Sequence, residues 1–223
     1  MAIKCKYEIL GVEQMKNIYS LVLNSEIINL IDNVAYKKGV SRSTLVNQIL
    51  ADYVGFETDE QRLSNMFSLI DQIIESEQRM RLLSQNSASG FSIVSALNYK
   101  YSPRVTYSVD LNFDERYLGE LNISCRTSKP ELIDVISEFF SEIIKLEGKF
   151  LPYNVKYSLI DGKLKRKLVN TGVAKTANDV ASLLTSYVKM LDELLNLYIL
   201  DDVGLRKRNL EKRFLAQAVN GKI

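Results

Sequence analysis

The chain has no histidine. That excludes imidazole acid–base catalysis, Ser-His and Cys-His nucleophiles, and zinc or nickel sites built on histidine ligands. Its two cysteines, Cys5 and Cys125, lie far apart. No disulfide framework is therefore expected, and a reducing cytoplasm is the expected compartment. No apolar run reaches the length of a membrane span. The opening residues MAIKCKYEILG lack the apolar core of a secretory signal. No Walker motif, GxGxxG or CxxC occurs. The expectation is a non-enzymatic protein with no cofactor, no metal and no membrane partner.

What is present describes an ordinary globular chain. Its 223 residues are 46% hydrophobic and 25% charged, enough for one larger domain or two small ones. The charge is unevenly spread. Residues 1–56 carry six Lys/Arg against five Asp/Glu, residues 57–150 ten against fifteen, and residues 151–223 thirteen against seven. The basic last third is where any second nucleic-acid contact is expected.

The most informative stretch is residues 17–56, NIYSLVLNSEIINLIDNVAYKKGVSRSTLVNQILADYVGF. A short alternating strand places Tyr19, Leu21 and Leu23 on one face and Ile18, Ser20 and Val22 on the other. Asn24 or Ser25 can cap a first helix. Ile27, Ile31, Val34 and Ala35 then recur at helical spacing beside Ile28. Lys37 and Lys38 suit the negative end of the helix dipole, and Gly39 supplies a left-handed stop. Ser41 caps a second helix whose apolar stripe is Leu45, Ile49, Leu50 and Tyr53, flanked by Val46 and Val54. So short a segment cannot enclose a core alone. It makes sense if two copies interlock and pair their strands across a two-fold axis.

In element order, apolar spacing, the glycine and the Ser-Arg-Ser-Thr opening of the second helix, residues 16–56 resemble the ribbon-helix-helix family of Arc- and MetJ-type DNA-binding proteins. The resemblance implies a homodimer that sets a two-stranded ribbon into the major groove of double-stranded DNA. Carried over by position, the groove-facing residues are Ile18, Ser20 and Val22, with Lys16 and Asn24 at the ends. The second-helix N-terminus, Ser41, Arg42, Ser43 and Thr44, would flank a backbone phosphate. The chain departs from the family in one respect. Its outward positions hold Ile, Ser and Val where family members present long polar side chains. Base reading would then rest on a serine hydroxyl and on apolar contact with thymine methyls.

Beyond this stretch, residues 60–83 keep helical spacing through Leu63, Met66, Phe67, Ile70, Ile73 and Ile74. SQNSASG, residues 84–90, reads as a loop. Three strand-like runs follow at 91–100, 104–111 and 117–126, with Val105, Tyr107, Val109 and Leu111 on one face. Ser128-Lys129-Pro130-Glu131 has capping-box form and opens a helix to about Glu147, stopped by Gly148. This predicts a three-stranded sheet with a helix on it. The pattern then resets, with alternation through Tyr153, Val155, Tyr157 and Leu159 and an Asp161-Gly162 hairpin turn. A return strand at 163–169 and a long helix from Thr176 or Asn178 to about Leu200 follow. Asp201-Asp202 breaks that helix, and a final helix carries Arg206, Lys207, Arg208, Lys212 and Arg213.

Lys163, Lys165, Arg166 and Lys167 have two readings, a wing that reaches DNA phosphates or a solvated edge strand guarded by its lysines. The final helix reads as amphipathic, packed on Leu205, Leu210 and Phe214. Asp110, Asp114, Glu115 and Glu120 match no calcium loop and read as a charged turn.

The expected fold class is α+β, an N-terminal ribbon-helix-helix dimer module followed by an antiparallel-sheet-plus-helices domain. The expected divisions are an arm at 1–15, the module at 16–56, a connecting helix at 57–84, and an oligomerisation or partner-binding region at 85–223 with a sub-boundary near 150. The expected function is sequence-specific DNA binding by a cytoplasmic, nucleoid-associated regulator. The alternative is a dimeric scaffold or antitoxin-like protein whose C-terminal region recruits another protein.

Overall fold

Each N-terminal helix starts and stops on a local sequence signal. The computed structural model describes residues 18–56, 59–87, 90–112, 116–174 and 176–219. Residues 18–24 run without regular secondary structure into α1, Ser25–Lys38. The Glu26 N–H donates to the Asn24 side chain at 2.8 Å, which satisfies one of the free donors at the helix start. Gly39, at φ 67°, closes the helix in the left-handed region, which a residue without a Cβ enters at little cost. Ser41 caps α2, Arg42–Val54, by accepting the Thr44 N–H at 3.1 Å. A third helix, α3, spans Asp59–Glu75. The expected strand over residues 18–23 has no ladder in the single chain, where every ladder among the described residues lies between Met80 and Val169.

The described residues form two units, one ending at Ser64 and one beginning at Asn65. The larger unit holds six strands, β1 Met80–Ser87, β2 Gly90–Ala96, β3 Arg104–Leu111, β4 Tyr117–Arg126, β5 Tyr157–Ile160 and β6 Lys163–Val169. They form one antiparallel sheet in the order β1-β2-β3-β4-β6-β5. Its helices are α4, Pro130–Phe150, α5, Ala177–Leu200, and α6, Arg206–Val219. The described chain is thus mixed α+β with six helices and a six-stranded antiparallel sheet.

Several expectations are corrected. The connecting helix stops at Glu75, eight residues short of Leu83, and Met80–Ser87 is a strand. The Ser76 hydroxyl donates to the Ile73 carbonyl at 2.7 Å and competes with the helical ladder there. Residues 84–87 of the run expected as a loop belong to the edge strand β1, which pairs on one side, Ser87 opposite Gly90. The helix expected from a Ser128 capping box keeps Pro130 in its first turn, but its N-cap is Lys129 and it runs through Gly148 to Phe150. Thr127 accepts the Lys129 N–H at 3.2 Å. The sheet also runs on past residue 150, because β6 pairs with β4, Leu121 opposite Arg166. Strand β6 is therefore interior, and β5 is the edge strand of its hairpin.

One face of the sheet is the core. Val105, Tyr107, Val109 and Leu111 of β3 point into it, as their alternation predicts. Cross-strand register adds Phe91 and Ile93 on β2, Leu121 and Ile123 on β4, and Leu164 and Leu168 on β6. Helices α4 and α5 cover this face with Ile136, Phe139, Phe140 and Ile143, and with Val188, Leu191 and Tyr198. The Tyr107 hydroxyl donates to the buried Asp192 carboxylate of α5 at 3.1 Å. Burial raises the pKa of both groups. Leu210 and Phe214 bury one side of α6, and Leu205 stays exposed. Between β3 and β4, a Cβ added at Gly119 would stand 2.0 Å from the Asp110 carbonyl. Only glycine fits where that strand bulges.

Candidate nucleic-acid interface

The two helices of the N-terminal unit meet at a turn that gathers polar groups. The Ser41 hydroxyl lies 2.8 Å from that of Thr44 at the start of α2. Beside it the Arg42 guanidinium grips Asp32 of α1 with two hydrogen bonds, Nε to Oδ1 and Nη2 to Oδ2, each 2.5 Å. The Arg42 hydrogen bond lowers the pKa of Asp32, and Asp32 raises that of Arg42. Both side chains are solvent-accessible, with 57% and 41% exposure. Ser41, Arg42 and Ser43 are exposed and Thr44 is half-buried. The four residues expected to flank a phosphate therefore share one accessible turn, and its one cation is already engaged by a carboxylate. Spacing along the chain does not reveal that engagement, because Asp32 lies on a different helix.

The expected ribbon residues Ile18, Ser20, Val22 and Asn24 are all exposed, and Lys16 lies outside the described residues. Alternation survives in the accessibilities. Ile18 and Val22 are fully exposed, whereas Tyr19, Leu21 and Leu23 on the opposite face fall to 80, 62 and 42%. Within residues 18–56 the fully buried apolar side chains are Ala35, Leu45 and Ala51. Leu30, Val34, Ile49, Leu50 and Tyr53 are all exposed. Much of the apolar stripe of each helix thus stands open.

The basic hairpin is divided between two faces of the sheet. Side chains on β6 alternate, so Lys163, Lys165 and Lys167 point away from the core while Leu164, Arg166 and Leu168 point into it. Arg166 is thereby corrected. It is 6% exposed, and its Nε donates to Glu147 Oε2 at 2.9 Å. Lys165 and Lys167 flank Glu120 at 3.6 and 3.0 Å. Its hydrogen bond from Lys167 holds that carboxyl below the usual range. Around Lys163 is a basic surface that sequence spacing does not reveal. Arg104 and Arg126 stand directly opposite each other on β3 and β4. Lys100, Arg126, Lys129 and Lys163 line one shallow groove of about 740 Å³. Like charges directly opposed across strands destabilise a sheet, and a polyanion would relieve that repulsion. The register of β3 against β4 sets Arg104 opposite Arg126, and the segments flanking these strands bring Lys100 and Lys129 to the groove.

Asp110 and Glu120 are cross-strand partners, Asp114 and Glu115 lie outside the described residues, and no metal-holding cluster occurs among the described residues. No helix there is long and apolar enough to cross a membrane. No family model, curated protein or solved structure matches the chain.

Proposed function

We propose that the protein is a homodimeric, sequence-specific DNA-binding regulator of the ribbon-helix-helix kind. The observation that carries the reading is the half-built N-terminal core, two well-capped helices and an alternating segment whose apolar faces stand largely open. A second copy would close that core and pair residues 18–24 across a two-fold axis. Two-fold symmetry calls for two matching half-sites in the DNA. Ser20 would reach a base edge, with Ile18 and Val22 against thymine methyls. The α2 N-terminus would hold a phosphate, and Arg42 would exchange Asp32 for that phosphate. Lys163, with Lys100, Arg104, Arg126 and Lys129, is the candidate for a second backbone contact. A cytoplasmic, nucleoid-associated location follows from this role.

One observation favours a second reading. Ile18 and Val22 on the outward face suit protein better than base edges, so the module would serve dimerisation alone in a scaffold or antitoxin-like protein. A salt titration of DNA binding by gel shift separates the two. On the DNA reading, Arg42→Ala weakens binding to all sequences and lowers the log–log salt slope by about 0.9 for each phosphate it ceases to neutralise. Asp32→Asn frees Arg42 and tightens binding. If the wild-type chain binds no duplex at low salt, the scaffold reading replaces it.

A further inference from the structure

Within the larger unit, a half-open cavity of about 620 Å³ lies among β4, β6, the start of α5 and the segments that lead into it. That volume is typical of a site for a small molecule, and well-packed interiors contain few voids larger than a water. Its walls are chiefly aliphatic, with Leu118, Leu168, Val180, Leu183 and Leu184 among them. Among the described lining residues the one charged side chain is Arg166, and none is a carboxylate.

Arg166 belongs to a buried cluster. Glu147 follows Phe140 and Ile143 on the apolar stripe of α4 and is fully buried. Both its oxygens are taken, Oε2 by Arg166 and the Tyr157 hydroxyl, Oε1 by the Tyr187 hydroxyl. Beside the Glu147 bond, Arg166 makes one long hydrogen bond, Nη1 to the Lys167 carbonyl at 3.5 Å, and it also interacts with the Tyr157 hydroxyl. The Tyr187 ring lies 4.6 Å from the guanidinium carbon. A guanidinium carries five N–H donors, more than these partners take up. A carboxylate with both oxygens engaged thus anchors a cation that retains donors at the wall of an apolar cavity.

We infer that this cavity binds an elongated amphipathic monoanion of the medium-chain carboxylate class. The head accepts hydrogen bonds from Arg166, and the chain lies along the aliphatic wall. The planar guanidinium fork suits a carboxylate, and exclusion of water strengthens the contact. Glu147, with Tyr157 and Tyr187, fixes the orientation of that fork. The cavity needs neither DNA nor a second copy of the chain, so it stands or falls apart from the proposed function.

The test is isothermal titration of the full chain with decanoate and with 1-decanol. The expected result is one saturable site per chain for decanoate and binding about tenfold or more weaker for decanol, the ratio that one charge-assisted hydrogen bond supplies. Leu183→Trp fills the cavity from its rim without touching the ion pair and should weaken both ligands. Glu147→Gln combined with Arg166→Met removes the charges while the Gln amide accepts from one tyrosine hydroxyl and donates to the other, and should abolish the preference for decanoate. Should the double variant fail to fold, Leu183→Trp still decides whether the cavity is the site. Equal binding of decanol and decanoate by the wild-type chain, no saturable decanoate binding, or binding indifferent to Leu183→Trp overturns the inference.

Discussion

Strand β3 and residues 18–24 follow the same alternating rule with opposite outcomes. In β3 the apolar face of Val105, Tyr107, Val109 and Leu111 is closed by α5. In residues 18–24 the face of Tyr19, Leu21 and Leu23 is open, and so is much of the stripes of α1 and α2. Each unit contains a helix with a side-chain N-cap. Thr176 and Asp179 exchange hydrogen bonds at the start of α5, and at the start of α2 the Thr44 N–H donates to the Ser41 hydroxyl. What differs is the supply of surface to bury against. Local signals suffice to shape elements, but the free energy that holds them comes from burial. One unit finds that burial within its own chain, and on the proposed reading the other would find it in a second copy.

The largest expected effect strikes the open unit. Leu21→Glu changes a residue that is 62% exposed in the single chain, where substitutions ordinarily cost about 0.5 kcal/mol or less. If the second copy covers it, the charge enters a core, and the N-terminal unit should unfold and dissociate while the larger unit keeps its own melting transition. Circular dichroism with sedimentation reads both. An unchanged dimer with Leu21→Glu would break the comparison.

Next in size is the buried ion pair of the closed unit. Arg166→Ala leaves Glu147 without its cation in a site of no exposure. It should cost about 3–5 kcal/mol by denaturant titration. The loss should appear in the unfolding of the larger unit and leave dimerisation intact. A loss below about 1 kcal/mol would mean that water already reaches the pair.

The smallest effect is the sharpest for face assignment. Ser20→Glu should leave stability within about 0.5 kcal/mol of wild type, since Ser20 is exposed and on the outward face. It should nonetheless abolish DNA binding by placing a carboxylate among phosphates. If Ser20→Glu unfolds the module and Leu21→Glu does not, the register is shifted by one residue.

Elements are legible in the sequence where the signal is local. Asn24, Gly39, Ser41 and Thr176 are readable as caps, and Asp161-Gly162 as a turn, because each acts within four residues. The buried faces of β3 and α4 are readable from their periods. Less legible is anything set by pairing. The polar residues after Leu83 give no sign of a strand, because an edge strand takes its stability from the backbone of β2. The four basic residues of β6 read as one patch when charge is weighed without face. Leu164, Arg166 and Leu168 alternate, and Glu147 falls on the stripe of Phe140 and Ile143. Together these mark a buried arginine and its partner. The pairing of Asp32 with Arg42 depends on how α1 and α2 meet, which no local pattern encodes.

Light scattering of the full chain at micromolar concentration tests the central claim most directly. The account predicts a mass of at least twice 25.4 kDa, with Leu21→Glu shifting it toward one chain. A wild-type species of 25.4 kDa that retains the helices of its N-terminal unit would contradict it.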